Sequence, residues 1–141
     1  MGATMARALL LTFLLLGACS QDDPRGVYDG TATVTMTSGN IVVTSRVTLY
    51  PDLNDAELVS TAGPPDLGCH FVGPTWNGSS VHYDCAQFQC DCMLETTDLT
   101  VTTASGTLSG DLLSLAFGGE VSGGGAAFSA AFMGTLEPGT R

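Results

Sequence analysis

From Thr31 onward the chain alternates between apolar and polar residues with a period of two. Residues 31–36 set Ala32, Val34 and Met36 on one face and threonines on the other. Ile41, Val43, Val47 and Leu49 share a face, with Thr44, Arg46 and Thr48 opposite. Residues 99–103 alternate likewise. Leu113, Leu115 and Phe117 make a further row, as do Phe128, Ala130, Phe132 and Leu136. Successive strand residues point to opposite faces, so each segment predicts a half-buried strand, and Thr and Val suit a pleated surface. No stretch past residue 18 sustains a helical period.

Turn-forming clusters divide these segments at 37–40, 51–55, 62–68, 76–79, 109–111 and 122–125. Asn77-Gly78 and Gly110-Asp111 suit tight hairpins, because Asn and Gly accept positive φ. Short strands joined by hairpins predict an all-β fold: an antiparallel up-and-down meander of about eight strands, closing as a small barrel, with a β-sandwich as the alternative. Residues 62–97 read as the least regular part of the domain. There is no internal repeat, and Gly, Ala and Ser dominate residues 104–135.

The N-terminal segment follows a different pattern. The apolar run Ala8–Leu16 is far shorter than the roughly 20 residues that span a bilayer as a helix. Arg7 precedes it and small residues follow it, which describes a secretory signal peptide. Met5 is an equally good start. Leu16-Gly17-Ala18-Cys19 resembles the bacterial lipobox, cut just before its cysteine. That resemblance implies that residues 1–18 are a leader and that Cys19 becomes a lipidated N-terminus carrying acyl chains such as palmitate. Each buried methylene contributes about 0.8 kcal/mol, so two or three chains anchor the protein in the bilayer. Ser20 stands where an aspartate would retain a lipoprotein in the inner membrane, which points to the outer membrane, facing the periplasm. Residues 19–26 then form the lipidated start and a tether, and residues 27–141 a single β-domain. The tether Ser20–Gly26 spans at most about 25 Å.

Charge narrows the partners. The chain has 14 carboxylates against four arginines and no lysine, for a formal net charge of −10, and loss of Arg7 with the leader makes it more negative still. Nucleic-acid binding depends on neutralising phosphates with Lys and Arg, so that class is excluded, as is a basic patch for anionic lipid. Gly26-Val27-Tyr28 followed by Gly30-Thr31 resembles the first strand of lipocalin-like proteins, with Tyr in place of their Trp. Arg141 is the one candidate for the arginine that stacks there. The resemblance implies a barrel that carries a small apolar ligand.

With Cys19 set aside, Cys69, Cys85, Cys90 and Cys92 remain, all within residues 69–92. An exported chain meets an oxidising compartment, so two disulfides are expected. Cys90 and Cys92 are too close in sequence to bridge without strain. The pairings left open are Cys69–Cys90 with Cys85–Cys92, and Cys69–Cys92 with Cys85–Cys90. The rival readings are a metal site, with His70 and His82 joining the thiolates and Asp91, or a redox-active pair. Cys-x-Cys departs from structural zinc spacing, so no metal and no cofactor are expected, and both histidines read as surface residues.

His70 and His82 are the only histidines, the residue type best suited to general-base work near neutral pH. No Gly-x-Ser-x-Gly or Gly-x-Gly-x-x-Gly motif occurs, and Schiff-base chemistry has no lysine. A hydrolase built on His82 and Asp84 is the one enzymatic alternative, and the expectation is a protein that is not an enzyme. Trp76 is the single tryptophan, placed in a loop by this reading, either capping the core or exposed to a ligand. Trp76, His70 and His82 are therefore the candidate ligand-binding residues. The expected function is a membrane-anchored envelope lipoprotein whose acidic β-domain is a binding or structural module. An envelope protein is its expected partner. A carrier of a small apolar ligand and a metal-binding protein are the alternatives.

Overall fold

The computed structural model describes residues 24–50 and 55–140; the expected leader, Cys19, residues 51–54 and Arg141 lie outside them. Every regular element among the described residues is a β-strand. They are β1 (Gly26–Met36), β2 (Gly39–Tyr50), β3 (Asp55–Ser60), β4 (Leu67–Val72), β5 (Pro74–Asn77), β6 (Ser80–Tyr83), β7 (Cys90–Leu94), β8 (Thr97–Ser109), β9 (Leu112–Val121) and β10 (Ala127–Leu136).

Eight of them close into an antiparallel barrel, in the order β1–β2–β3–β4–β7–β8–β9–β10 and back to β1. The meander runs between sequence neighbours except at β4–β7, where the β5–β6 hairpin is inserted. That hairpin pairs with the second half of β8, through Ser80↔Thr107 to Tyr83↔Ala104, while β7 pairs with its first half. A bulge between Val101 and Thr103 lies between the two halves and leaves Thr102 and Thr103 both exposed. Closure through β1–β10 and β8–β9 gives the small barrel, not the sandwich.

The inward rows are the ones the alternation picks out. Ala32, Val34, Val43, Val47, Leu49, Leu113, Leu115, Phe117, Phe128, Ala130 and Phe132 are all buried. Ser45 occupies the inward position between Val43 and Val47, fully buried, with its hydroxyl donating to the Val43 carbonyl at 3.2 Å. Burying each Val, Leu or Phe contributes about 1.5–3 kcal/mol, so the lining is the main source of stability. Inward glycines let the strands bend closely past one another. A Cβ on Gly30 would run into the Met133 carbonyl, and one on Gly119 into the Thr100 carbonyl. Such positions are where a barrel wall coils.

Two-residue turns close several hairpins. Gly78 (φ 63°) and Gly110 (φ 61°) take the left-handed conformation expected of them. Glu95 takes it too, at φ 55°, in the β7–β8 turn, where no turn-forming residue marks the sequence. Residues 62–97 depart from the expected irregularity. They hold β4, β5, β6 and β7, and Trp76 stands in β5 rather than in a loop. These strands are only four to six residues long, so their period is too brief to dominate over the Pro, Gly and Cys among them.

Candidate functional site

The cysteines resolve into Cys69–Cys92 and Cys85–Cys90, one of the two pairings left open. Cys69 and Cys92 are direct partners in the β4–β7 register, both pointing into the barrel. Their bridge fastens the one ring contact that the β5–β6 insertion separates in sequence. Cys85–Cys90 closes the short connection from the hairpin back to β7. All four thiols are used, so the thiolate set of the metal alternative is not assembled. Among the described residues, no group of three or more His, Cys, Asp or Glu is placed to hold a metal ion.

Trp76 faces Val81 across the β5–β6 hairpin, half-buried and packed against the core. Tyr83 and Val81, from the same hairpin, are fully inside. The Tyr83 ring lies 5.6 Å from that of Phe71. Burial disfavours the Tyr83 phenolate, and the Asp55 carboxylate adds to the effect, so the hydroxyl is pushed well above its ordinary range.

His70 and His82 are both exposed on strands, as expected, and they stand on different parts of the wall. His82 is opposite Thr75 and Ser105. Asp84 does not join it: its carboxylate accepts from the Gln87 amide at 3.1 Å and its amide donates to the Gly73 carbonyl. The carboxylate that meets a histidine is Asp55, whose Oδ2 lies 2.9 Å from His70 Nε2. Asp55 Oδ1 is buried without a hydrogen-bond partner. This pair is not legible in the sequence, because it depends on β3 and β4 being neighbours with Glu57 opposite His70.

The outer wall divides by charge. Across β3, β4, β7, β8 and β9 one row reads Glu57, His70, Asp91, Thr100, Glu120 in direct register, with Asp55 and Asp98 beside it. Three further rows cross the second half of β8, then β9, β10, β1 and β2, between Glu120 on β9 and Asp29 on β1. They read Thr103–Gly118–Ser129–Thr35–Asn40, Ser105–Ala116–Ala131–Thr33–Val42 and Thr107–Ser114–Met133–Thr31–Thr44. None of these positions carries a charge. A trough of about 440 Å³ lies in this wall, over Ser105, Ser114, Ala116 and Ala131. At one border, Arg46 is engaged by Asp29 at 2.7 Å and by Glu137 at 3.4 Å.

The lipocalin-like segment has Gly26 at the start of β1 and a buried Tyr28, whose hydroxyl donates to the Pro24 carbonyl at 3.1 Å. No protein-family model matches the chain, and no curated protein or solved structure matches it either.

Proposed function

We propose that this protein is a lipid-anchored envelope protein whose barrel acts through its outer surface, as a binding or structural module without catalysis. The observation that carries this reading is the filled interior. Phe71 and Phe117, from separate parts of the ring, meet edge to face with ring centroids 5.0 Å apart. Phe128 and Phe132 are also turned inward and buried. A carrier of an apolar molecule needs a concave apolar site that encloses its ligand. Here the side chains take that space, while the outside offers an acidic wall and a neutral one.

The anchor rests on the lipobox resemblance at Leu16–Cys19, and outer-membrane sorting on Ser20. Gly26 already belongs to β1, so a tether no longer than Ser20–Arg25 would hold the barrel close to the bilayer. Loops and surfaces held by a rigid scaffold are where binding concentrates. Two disulfides and a closed ring make such a scaffold.

Export of the chain in a bacterium supplied with a labelled palmitate analogue tests the anchor. The label should enter the protein and follow it into detergent extracts. Cys19→Ala should lose the label and release a folded barrel into the soluble fraction. Membrane retention of unlabelled Cys19→Ala protein in detergent-free fractions would overturn the reading.

A further inference from the structure

We infer that the end of the barrel where β1 begins rests on the headgroup layer of the bilayer, with the Trp76 indole set in that interface. The inference rests on the reading of Cys19 as a lipidated residue, and adds which part of the barrel meets the membrane. The segment that leads to Cys19 joins the barrel at this end. Tyr28 points into the barrel, fully buried, and its hydroxyl donates to the Pro24 carbonyl at 3.1 Å. The peptide steps from Cys19 to Pro24 reach at most about 18 Å, so acyl chains on Cys19 would keep this rim next to the membrane.

Trp76 stands on the same rim. Past Gly26 the rim continues through Glu137, whose amide donates to the Val27 carbonyl, and Asp111, whose carbonyl accepts from the Leu136 amide. Ser109 pairs with Leu112 beside it, and the Leu108 amide donates to the Ser79 carbonyl in the β5–β6 turn. Trp76 lies just before that turn, directly opposite Val81. Val81 is buried inside the barrel, and opposed residues of an antiparallel pair share a face, so the indole also points inward. Its remaining exposure therefore opens through the mouth of the barrel rather than the outer wall. A tryptophan that is packed on one side and open on the other suits the membrane–water interface, where this residue concentrates.

Charge orients the barrel the same way. The opposite rim gathers Asp66, Glu95 and Asp98, for the Glu95 amide donates to the Asp66 carbonyl and the Ser122 amide to the Asp98 carbonyl. Glu120 stands beside them on β9. Among the described residues both arginines, Arg25 and Arg46, lie toward the Gly26 end. Asp29 and Glu137 engage Arg46 there, and Asp111 is the further carboxylate on the rim traced above. Anionic headgroups therefore repel the far rim more strongly than the near one, an effect felt within about 8 Å of the surface. Tether, tryptophan and charge select the same end.

Trp76 is the single tryptophan, so the protein's own emission reports its place. Acylated protein carrying the palmitate label is reconstituted into phosphatidylcholine vesicles, either plain or brominated on the acyl chain close to the headgroup. The brominated lipid should quench Trp76, and the emission maximum should lie to the blue of that of the Cys19→Ala chain mixed with the same vesicles. A Trp76→Phe, Ser38→Trp variant, folded by circular dichroism, moves the reporter to the exposed β1–β2 turn at the opposite rim. Its emission should escape quenching. Labelled protein whose Trp76 is not quenched would overturn the proposed orientation and leave the anchor standing. Equal or stronger quenching of the Ser38→Trp reporter would do the same. Protein that takes up no label fails at the anchor itself, and the orientation falls with it.

Discussion

Phe71 of β4 and Phe117 of β9 touch edge to face across the barrel interior, with ring centroids 5.0 Å apart. Three strand-to-strand steps separate β4 from β9 in one direction round the ring and five in the other. Their contact therefore links facing parts of the wall through the middle. Edge-to-face pairs add about 0.5–1.5 kcal/mol beyond the area they bury.

Phe117→Ala should consequently cost about 3–5 kcal/mol, because a deleted core aromatic leaves a cavity that the closed wall cannot collapse to fill. Urea denaturation of the two proteins measures it. A loss below about 1 kcal/mol would mean that the ring is not part of a packed core.

The two disulfides should differ in worth. Cys69–Cys92 closes a separation of 23 residues and Cys85–Cys90 one of 5. The chain-entropy model gives roughly 3 kcal/mol for the first and roughly 2 for the second. The first is also fully buried, so replacing it by two alanines removes packed sulfur from the core. Denaturation of the two double-alanine variants should rank them in that order, and thiol counting of the native protein after unfolding should find none of the four cysteines free.

Trp76→Ala should destabilise the protein by about 1–3 kcal/mol, less than a fully buried aromatic, because Trp76 is half-buried against the core. Its packing partner in register is Val81. An unchanged thermal midpoint would mean that the ring adds no packing and is free for contact with a partner.

Alkaline pH should destabilise the protein through Tyr83. Its hydroxyl titrates above the ordinary tyrosine value when folded, so the native state holds the proton more tightly than the unfolded chain. That contribution is intact below about pH 10, the unfolded value, and is lost as pH rises beyond it, by up to about 1.4 kcal/mol per pH unit. Tyr83→Phe should flatten the decline in stability above pH 10, measured against the same variant at neutral pH.

The long strands were legible because their alternation is sustained. Ala32 to Met36, Ile41 to Leu49, Leu113 to Phe117 and Phe128 to Leu136 each carry enough inward residues to declare a buried face. The short strands of residues 67–94 were not. Trp76-Asn77-Gly78-Ser79 reads as a turn, and only the pairing of Pro74–Asn77 with Ser80–Tyr83, and theirs with β8, makes Trp76 part of a strand. Glu95 gives no turn signal, and its positive φ goes with an amide that donates to the Asp66 carbonyl at 2.7 Å. The cysteine pairing needed the knowledge that β4 skips the inserted hairpin to meet β7. The same gap hid the His70–Asp55 contact and the division of the outer wall, since both arise from register between strands rather than from neighbours in sequence.

The packed interior is tested most directly by titrating the exported Cys19→Ala chain with a fluorescent fatty-acid analogue. A barrel whose centre is filled by Phe71, Phe117, Phe128 and Phe132 gives no saturable uptake, and protein purified without detergent releases no apolar molecule on solvent extraction. Saturable binding of one analogue per chain, weakened by Phe117→Trp but not by Ala131→Glu on the outer wall, would contradict it and restore the carrier.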